Sequence, residues 1–383
     1  MGVKMPEHIV RYIEQPVMDD LKQKMVFIGG PRQTGKTTLA RNTCKLLGGD
    51  PAKRYLNWDA AEDRENIIKE TFPAGAGPLI LDEIHKYSRW RQVVKGLFDK
   101  RRSELNILVT GSARLDYYRR GGDSLQGRYH YYRLLPFSCA ELKASSLKTI
   151  EDLLVYGGFP EPFLLQSEKE TRRWSREYRS RIIQGDLTDL ENVQDVNLIE
   201  HMAIRLPELV GSPLSLNALR EDLQVSHQSV SRWMGMLENL YMVFRIYPFG
   251  ADRIRAVKKE AKHYHMDWTV VPDRGARFEN VIAFHLLKWI FYLQDTEGRN
   301  MELRYFRDID KREVDFVIIE DGRPLHFIEA KLSGKAQSPS LRYLKQRFPS
   351  VSAIQLTLDD GTDVLTKDGI RICPAHLFLN ELV

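Results

Sequence analysis

Apolar and polar positions change rhythm along this chain, and each change marks a different kind of element. Over the first 137 residues, short apolar runs alternate with stretches of helical period. Residues 24–28, 54–59, 79–83, 105–110 and 129–134 read as strands, and helical stretches separate them. Residues 6–23 read as an amphipathic lead-in helix, and residues 36–47 as a helix apolar on one side. Such a βαβ series predicts a parallel sheet with both faces covered. Residues 138–210 are mostly of helical period, interrupted by the rigid turn Tyr156-Gly157-Gly158-Phe159-Pro160-Glu161-Pro162, and predict a helical lid. Residues 213–223 and 226–240 predict a helix, a short turn and a second helix capped by Ser226. Residues 241–246 follow as a wing strand, which gives the spacing of a winged helix-turn-helix. From about 250 a second α/β unit is expected. It has a helix over 276–286 and strands over 312–319 and 325–331 joined by an Asp321-Gly322 hairpin turn.

The first strand runs into Gly30-Pro31-Arg32-Gln33-Thr34-Gly35-Lys36-Thr37, followed by Thr38, which fits G-x-x-x-x-G-K-[ST] without a mismatch. A strand, a glycine-bounded loop and a helix N-terminus turn backbone N–H groups toward one point. That makes a cradle for the phosphates of ATP, because first-turn amides lack intrahelical partners and the helix dipole favours anions. Lys36 is expected to neutralise the β- and γ-phosphates and the Thr37 hydroxyl to ligate Mg²⁺. The third strand ends in Asp82-Glu83, at the edge where ligands of open α/β sheets sit. Asp82 is the candidate Mg²⁺ partner, and Glu83 the candidate base that orients water against the γ-phosphate.

Three further features attach to this core. The fourth strand leads into Thr110-Gly111-Ser112, where Ser112, with Thr110 second, is placed to sense the γ-phosphate. Arg128 precedes the fifth strand and is the candidate finger reaching a neighbouring subunit's nucleotide, with Arg114, Arg119, Arg120 and Arg133 as competitors. Between Arg89 and Arg133, Lys and Arg outnumber Asp and Glu by eleven to four, with Tyr117, Tyr118, Tyr129, Tyr131 and Tyr132 among them. Basic residues interleaved with aromatics suit a DNA-binding face, and equally a subunit interface or a solvated surface. In the helix-turn-helix, Arg220, Arg232 and Arg245 are balanced by Glu221, Asp222 and Glu238, so a major-groove role for His227, Gln228, Ser231 and Arg232 competes with a structural one.

In the tail, period-two alternation puts Glu329 and Lys331 on one face of a strand, where Asp315 can join them, and Glu279 lies on the preceding helix. Two carboxylates can hold a Mg²⁺ that activates water, and a nearby Lys can orient that water.

Composition narrows the classes. The 383 residues call for two to four domains, and 43% hydrophobic with 28% charged residues is ordinary for a soluble globular chain. No apolar run approaches a membrane span, Met1-Gly2 lacks the Ser or Thr at position 6 that myristoylation needs, and no membrane partner is expected. Cys44, Cys139 and Cys373 are widely spaced and fit a reducing cytoplasm. The net charge of +5 permits an acidic partner without requiring one.

These residues together resemble the bacterial and archaeal ATPases of the AAA+ superfamily that join an AAA-type ATPase domain to a C-terminal DUF4143. The marks are the P-loop, Leu81-Asp82-Glu83-Ile84, Thr110-Gly111-Ser112, Tyr156-Gly157-Gly158-Phe159-Pro160, His263-Tyr264-His265-Met266-Asp267, Phe278-Glu279-Asn280, Glu313-Val314-Asp315 and Glu329-Ala330-Lys331. The resemblance covers nearly the whole chain. It implies an α/β architecture in four parts: a P-loop AAA+ ATPase core over 1–137, a helical lid over 138–210, a winged helix-turn-helix over 211–249, and a restriction-endonuclease-like domain over 250–383. Asp315, Glu329 and Lys331 match that last fold's PD-(D/E)XK pattern, with Glu279 on its first helix. One departure is Glu313-Val314 before Asp315, with no Pro. The expected function is an oligomeric Mg²⁺-dependent ATPase acting on DNA, in DNA processing, repair or genome defence. The alternatives are an ATP-gated nuclease and a non-catalytic nucleotide switch that binds a protein.

Overall fold

The computed structural model describes residues 9–72, 75–112, 115, 125–142, 147–187, 195–250, 260–334, 336–359, 361 and 363–383. Arg114, Arg119, Arg120, Tyr117 and Tyr118 lie outside the described residues. The chain divides into two compact units, Met1–Pro136 with Asp295–Glu297, and Phe137–Gln294 with Gly298–Val383.

The first unit carries strands β1 (Met25–Gly29), β2 (Tyr55–Asn57), β3 (Leu79–Asp82), β4 (Ile107–Thr110) and β5 (Tyr129–Arg133), in the order β2-β3-β4-β1-β5. Every pairing is parallel. β1, β3 and β4 are buried along their whole length, as unbroken apolar runs in a parallel sheet require. Phe27, Leu81 and Val109 pack with Trp90, Val94 and Leu97 of the helix Trp90–Arg101. Full burial of such side chains contributes ~1.5–3 kcal/mol each. Because the strands run together, their carboxyl ends line one edge. The register aligns Ile28 with Thr110 and Thr110 with Asp82, so the P-loop strand, the polar end of β4 and the acidic end of β3 stand side by side.

The lead-in helix is shorter than its pattern suggests: among the described residues it spans Glu14–Asp20. Pro16 sits in its first turn, where a missing N–H costs nothing. Arg11 precedes the helix and is instead committed to the P-loop, as described below.

The second unit is built on an eight-stranded sheet. Its strands are β6 (Val243–Pro248), β7 (Lys262–His265), β8 (Met301–Arg307), β9 (Glu313–Glu320), β10 (Arg323–Lys331), β11 (Ser352–Thr357), β12 (Val364–Leu365) and β13 (Ile370–Pro374). The order is β12-β13-β11-β10-β9-β8-β6-β7. β9 and β10 form an antiparallel hairpin whose turn residues Asp321 (φ 48°) and Gly322 (φ 79°) both adopt the left-handed conformation such a tight turn needs. The helices Leu216–Leu223 and His227–Asn239 are capped by Ser215 and Ser226, whose hydroxyls accept from Ala218 N–H at 3.3 Å and Ser229 N–H at 3.0 Å. The strand after them is no free wing. β6 pairs with β7 on one side and with β8 on the other, so one sheet runs across the boundary expected at 249/250. The helices of 138–210 belong to this same unit. No helix among the described residues is long and apolar enough to cross a membrane.

Candidate functional site

The loop between β1 and the helix Lys36–Leu46 is shaped by backbone that ordinary residues avoid. Gly30 lies at φ 123° and Gly35 at φ 91°, and Gln33 takes the left-handed region at φ 60°. A Cβ at Gly30 would stand 2.6 Å from the Leu134 carbonyl oxygen, so only glycine fits there. Arg11 braces the loop by donating to Thr34 O and Leu135 O, each at 2.6 Å. The Thr34 hydroxyl closes it internally on Pro31 O at 3.1 Å. Lys36 is buried, and its ammonium donates to the carbonyls of Gly30 (3.2 Å) and Pro31. The ammonium also lies close enough to Glu83 to act on its charge. Arg32 and Thr38 complete the motif, Arg32 close enough to Glu83 to act on its charge.

Asp82 is the hub of the site. Its Oδ2 accepts from the hydroxyls of Thr37 (2.9 Å) and Tyr55 (2.6 Å), and its Oδ1 from Thr110 (2.6 Å). Three neutral donors hold the carboxylate in place without cancelling its charge. Burial, and then the Asp82 carboxylate, push the Tyr55 phenol above its ordinary pKa, so it stays a donor. Arg41 lies 4.2 Å over the Tyr55 ring. Neither Tyr55 nor this role for Thr110 was read from sequence; β2 was, and the carboxyl-end alignment of its neighbours was the available signal.

Glu83 begins the turn after β3 in a left-handed conformation (φ 55°), which swings its side chain out of line with Asp82. Its Oε1 accepts from Ser112 N–H at 3.1 Å, and its Oε2 lies 3.4 Å from Lys86 Nζ and 3.6 Å from His85 Nε2. Burial raises the Glu83 carboxyl above its ordinary pKa, and Lys86 opposes that shift. A carboxylate made more basic by burial is suited to accept a proton from water. The Ser112 hydroxyl is buried without a hydrogen-bond partner, beside the same carboxylate. Gly111 is more than a turn residue: a Cβ there would stand 2.7 Å from Nδ1 of the buried His85. The loop, the paired Thr37 and Asp82 oxygens and the buried Glu83 therefore fit a Mg²⁺–nucleotide.

Arg128 is remote from its own P-loop. It precedes β5 at the amino end of the sheet, where its carbonyl accepts from Met25 N–H, and its guanidinium is held by Asp99 at 2.8 and 3.2 Å. Of the five tyrosines of that stretch, the three among the described residues are not free for a binding face. Tyr131 and Tyr132 are buried, and Tyr129 stacks on Phe27 at 4.4 Å, because β5 closes the edge of the sheet. In the second unit, His227, Gln228, Ser231 and Arg232 are exposed on one side of their helix while Val230, Trp233, Met234 and Leu237 are buried on the other.

The acidic cluster of the tail does come together. The Asp315 amide donates to Glu329 Oε2 at 3.4 Å, and Asp315 Oδ2 accepts from Ala330 N–H at 2.9 Å. Glu329 Oε1 is held by Lys331 at 2.8 Å and by the Ser338 hydroxyl at 3.2 Å. Absent from the sequence reading is Lys262 of β7, fully buried, with its ammonium 2.7 Å from Glu313, 3.1 Å from Glu279 and 3.5 Å from Asp315. Tyr264 adds a hydrogen bond to Glu279 at 2.7 Å. Burial, and then Asp315, push Glu279 and Glu329 up to about 7. The candidate nuclease site is thus a cluster already holding an internal ammonium. Both oxygens of Asp315 and of Glu329 have partners, and the Lys262 ammonium lies among the neighbouring carboxylates. No group of three or more His, Cys, Asp or Glu among the described residues is arranged to hold a metal ion.

Known proteins share parts of this plan. Residues 22–143 match a family model described as an AAA domain, residues 147–272 a domain of unknown function (DUF8612), and residues 274–378 a domain of unknown function (DUF4143). Similarity to an AAA domain thus precedes similarity to DUF4143 along the chain. An uncharacterized protein of Haemophilus influenzae is 22% identical over 342 residues, 80% of this chain and 82% of that one. An uncharacterized protein of Mycobacterium tuberculosis, Rv2008c, is 23% identical over 335 residues, 83% of this chain and 73% of that one. Among solved structures, the Thermotoga maritima RuvB Holliday junction branch migration motor aligns with 17% identity and a TM-score of 0.32, over 61% of this chain and 87% of that one.

Proposed function

We propose that this protein is an oligomeric Mg²⁺-dependent ATPase whose hydrolysis is coupled to work on DNA. The observation that carries the reading is the Thr37–Asp82 oxygen pair at 2.9 Å with the buried Glu83 carboxyl on the next residue. A Mg²⁺ held by the Thr37 hydroxyl and the Asp82 carboxylate would supply neutralisation of phosphate charge. The backbone amides of the P-loop cradle the phosphates, and Lys36 leaves its carbonyl acceptors to meet them. Glu83 orients the attacking water and accepts its proton, steadied by the Ser112 amide, while the Ser112 hydroxyl senses the terminal phosphate. Arg128 acts in trans, exchanging Asp99 for a neighbour's nucleotide. The nucleic-acid role rests on the basic residues of the first unit and on the exposed helix face of His227, Gln228, Ser231 and Arg232. An ATP-gated nuclease is the weaker reading, because Lys262 occupies the acidic cluster.

The test is ATP turnover by wild type, Lys36→Ala and Glu83→Gln, with and without duplex, single-stranded and branched DNA. Lys36→Ala is expected to lose nucleotide binding. Glu83→Gln is expected to bind normally and turn over ~10²-fold more slowly or worse, the scale of a positioned base. Turnover in Glu83→Gln equal to wild type would remove Glu83 from that role, and turnover indifferent to every DNA would favour a protein-binding switch.

A further inference from the structure

The helix Glu168–Arg181 borders a cavity of about 450 Å³ within the second unit, far along the chain from the P-loop. Its wall carries four guanidiniums, those of Arg172, Arg176, Arg179 and Arg277, against one carboxylate, Glu168. Glu168 is spent on Arg172, at 3.2 Å. Arg277 is fixed by the carbonyls of Val271 (2.8 Å) and Leu154 (3.4 Å), with the buried Asp267 close enough to offset part of its charge. Asp267 is itself engaged by the hydroxyls of Ser175 and Thr269 at 2.5 and 2.6 Å. Arg176 and Arg179 are left uncompensated in the wall. Two further polar atoms there, Arg179 Nε and the hydroxyl of the 3%-exposed Thr171, are buried without a hydrogen-bond partner. A wall with donors in such excess is costly until acceptors arrive.

We propose that this cavity is a binding site for a phosphate group. A planar guanidinium matches two phosphate oxygens at once, and the two uncompensated charges suit a phosphate's negative charge. No aromatic ring lines the cavity among the described residues, so the site grips the phosphate and leaves any attached base unread. The phosphate is carried either by a small polyphosphate or by the backbone of a nucleic-acid strand, and the two sources are separable.

The experiment titrates tripolyphosphate and, separately, a single-stranded oligothymidylate into the Lys36→Ala protein, which lacks the P-loop lysine. Both are then titrated into Lys36→Ala carrying Arg176→Gln, Arg176→Lys or, as a control outside the cavity wall, Arg173→Gln. Arg176 and Arg173 are both exposed on the same helix, so neither change threatens the fold. Arg176→Gln is expected to weaken binding by ~10-fold, the worth of a charge-assisted hydrogen bond, with partial recovery in Arg176→Lys and little change in Arg173→Gln. Loss confined to tripolyphosphate assigns the small-molecule source, and loss confined to the oligonucleotide assigns the strand. Absence of binding, indifference to Arg176→Gln, or equal loss in Arg173→Gln overturns the proposal.

Discussion

Lys262→Met keeps a long apolar stem but deletes a buried ammonium that stands within 3.5 Å of Glu313, Glu279 and Asp315. In the folded protein, burial works to lower the Lys262 pKa, and the three carboxylates outweigh it and raise the pKa above the ordinary lysine value. Lys262 is therefore charged as folded, and removing it leaves carboxyl groups facing one another out of water. Breaking a buried ion pair by deleting one partner costs ~3–5 kcal/mol. Part of that cost is recovered by protonation, and here the pH dependence discriminates. Glu279 and Glu329 are pushed up to about 7 by burial and by Asp315, against an unfolded value of 4.5. As pH rises from 4.5 to about 7 the unfolded chain releases these protons first, so the wild-type protein loses stability across that window and levels off above it. Without Lys262 the folded pKa of Glu279 rises further, which extends the loss above pH 7. Urea unfolding followed by tryptophan fluorescence at pH 5.5 and pH 8 is the assay. With a slope of ~2–3 kcal/mol per M, the midpoint should fall by ~1–2 M at pH 8 and by less at pH 5.5. Adding Glu279→Gln should restore part of the loss. A shift at pH 8 smaller than ~0.3 M, or a larger one at pH 5.5, would refute the internal-cation account.

Two other substitutions probe the first unit. Thr110→Val removes a buried donor from Asp82 Oδ1 and should cost ~1–3 kcal/mol of stability while raising the Mg²⁺ concentration needed for half-maximal ATP turnover; an unchanged Mg²⁺ dependence would show that Asp82 needs no support from β4. Arg128→Ala protein should be inactive alone and regain part of its turnover when mixed with Lys36→Ala protein, because mixed interfaces rebuild complete sites; full activity of Arg128→Ala at high dilution would place the finger elsewhere.

The first unit was legible because its signals are local. Each of its strands is a run of three to five residues bounded by turns, and the P-loop encodes its own geometry in Gly30, Gly35 and Lys36. What escaped depends on pairing. Tyr55 meets Asp82 only because β2 and β3 run parallel with Asn57 beside Asp82. The tyrosines of β5 look like a binding face in sequence and are core in the fold, since nothing local says that β5 lies beside β1. In the second unit the sequence reading lacks β8, although its alternating burial from Met301 to Tyr305 is a clean period-two signal. Without β8 the strand β6 reads as a wing, because its parallel partner is missing.

Asp82 and Asp315 show how carboxylates of similar spacing come to lie among different donors. Both lie on buried strands with a glutamate nearby, Glu83 on the next residue and Glu329 across the hairpin, and both are within reach of a lysine's influence. Asp82 is held by three hydroxyls, which orient it and leave its negative charge standing. The P-loop lysine, meanwhile, is turned onto main-chain carbonyls. Around Asp315 the neutral donors are joined by ammonium groups: Lys262 reaches three carboxylates and Lys331 a fourth. Two ammonium groups among four carboxylates thus offset part of the charge that would attract a cation. The difference is set by Lys262, which lies one residue outside the His263-Tyr264-His265-Met266-Asp267 motif and more than fifty residues before Asp315. It reaches the cluster because β7 pairs antiparallel with β6. An acidic motif therefore has to be judged by the charge of what satisfies it: neutral donors leave its charge standing, and a buried ammonium offsets part of it.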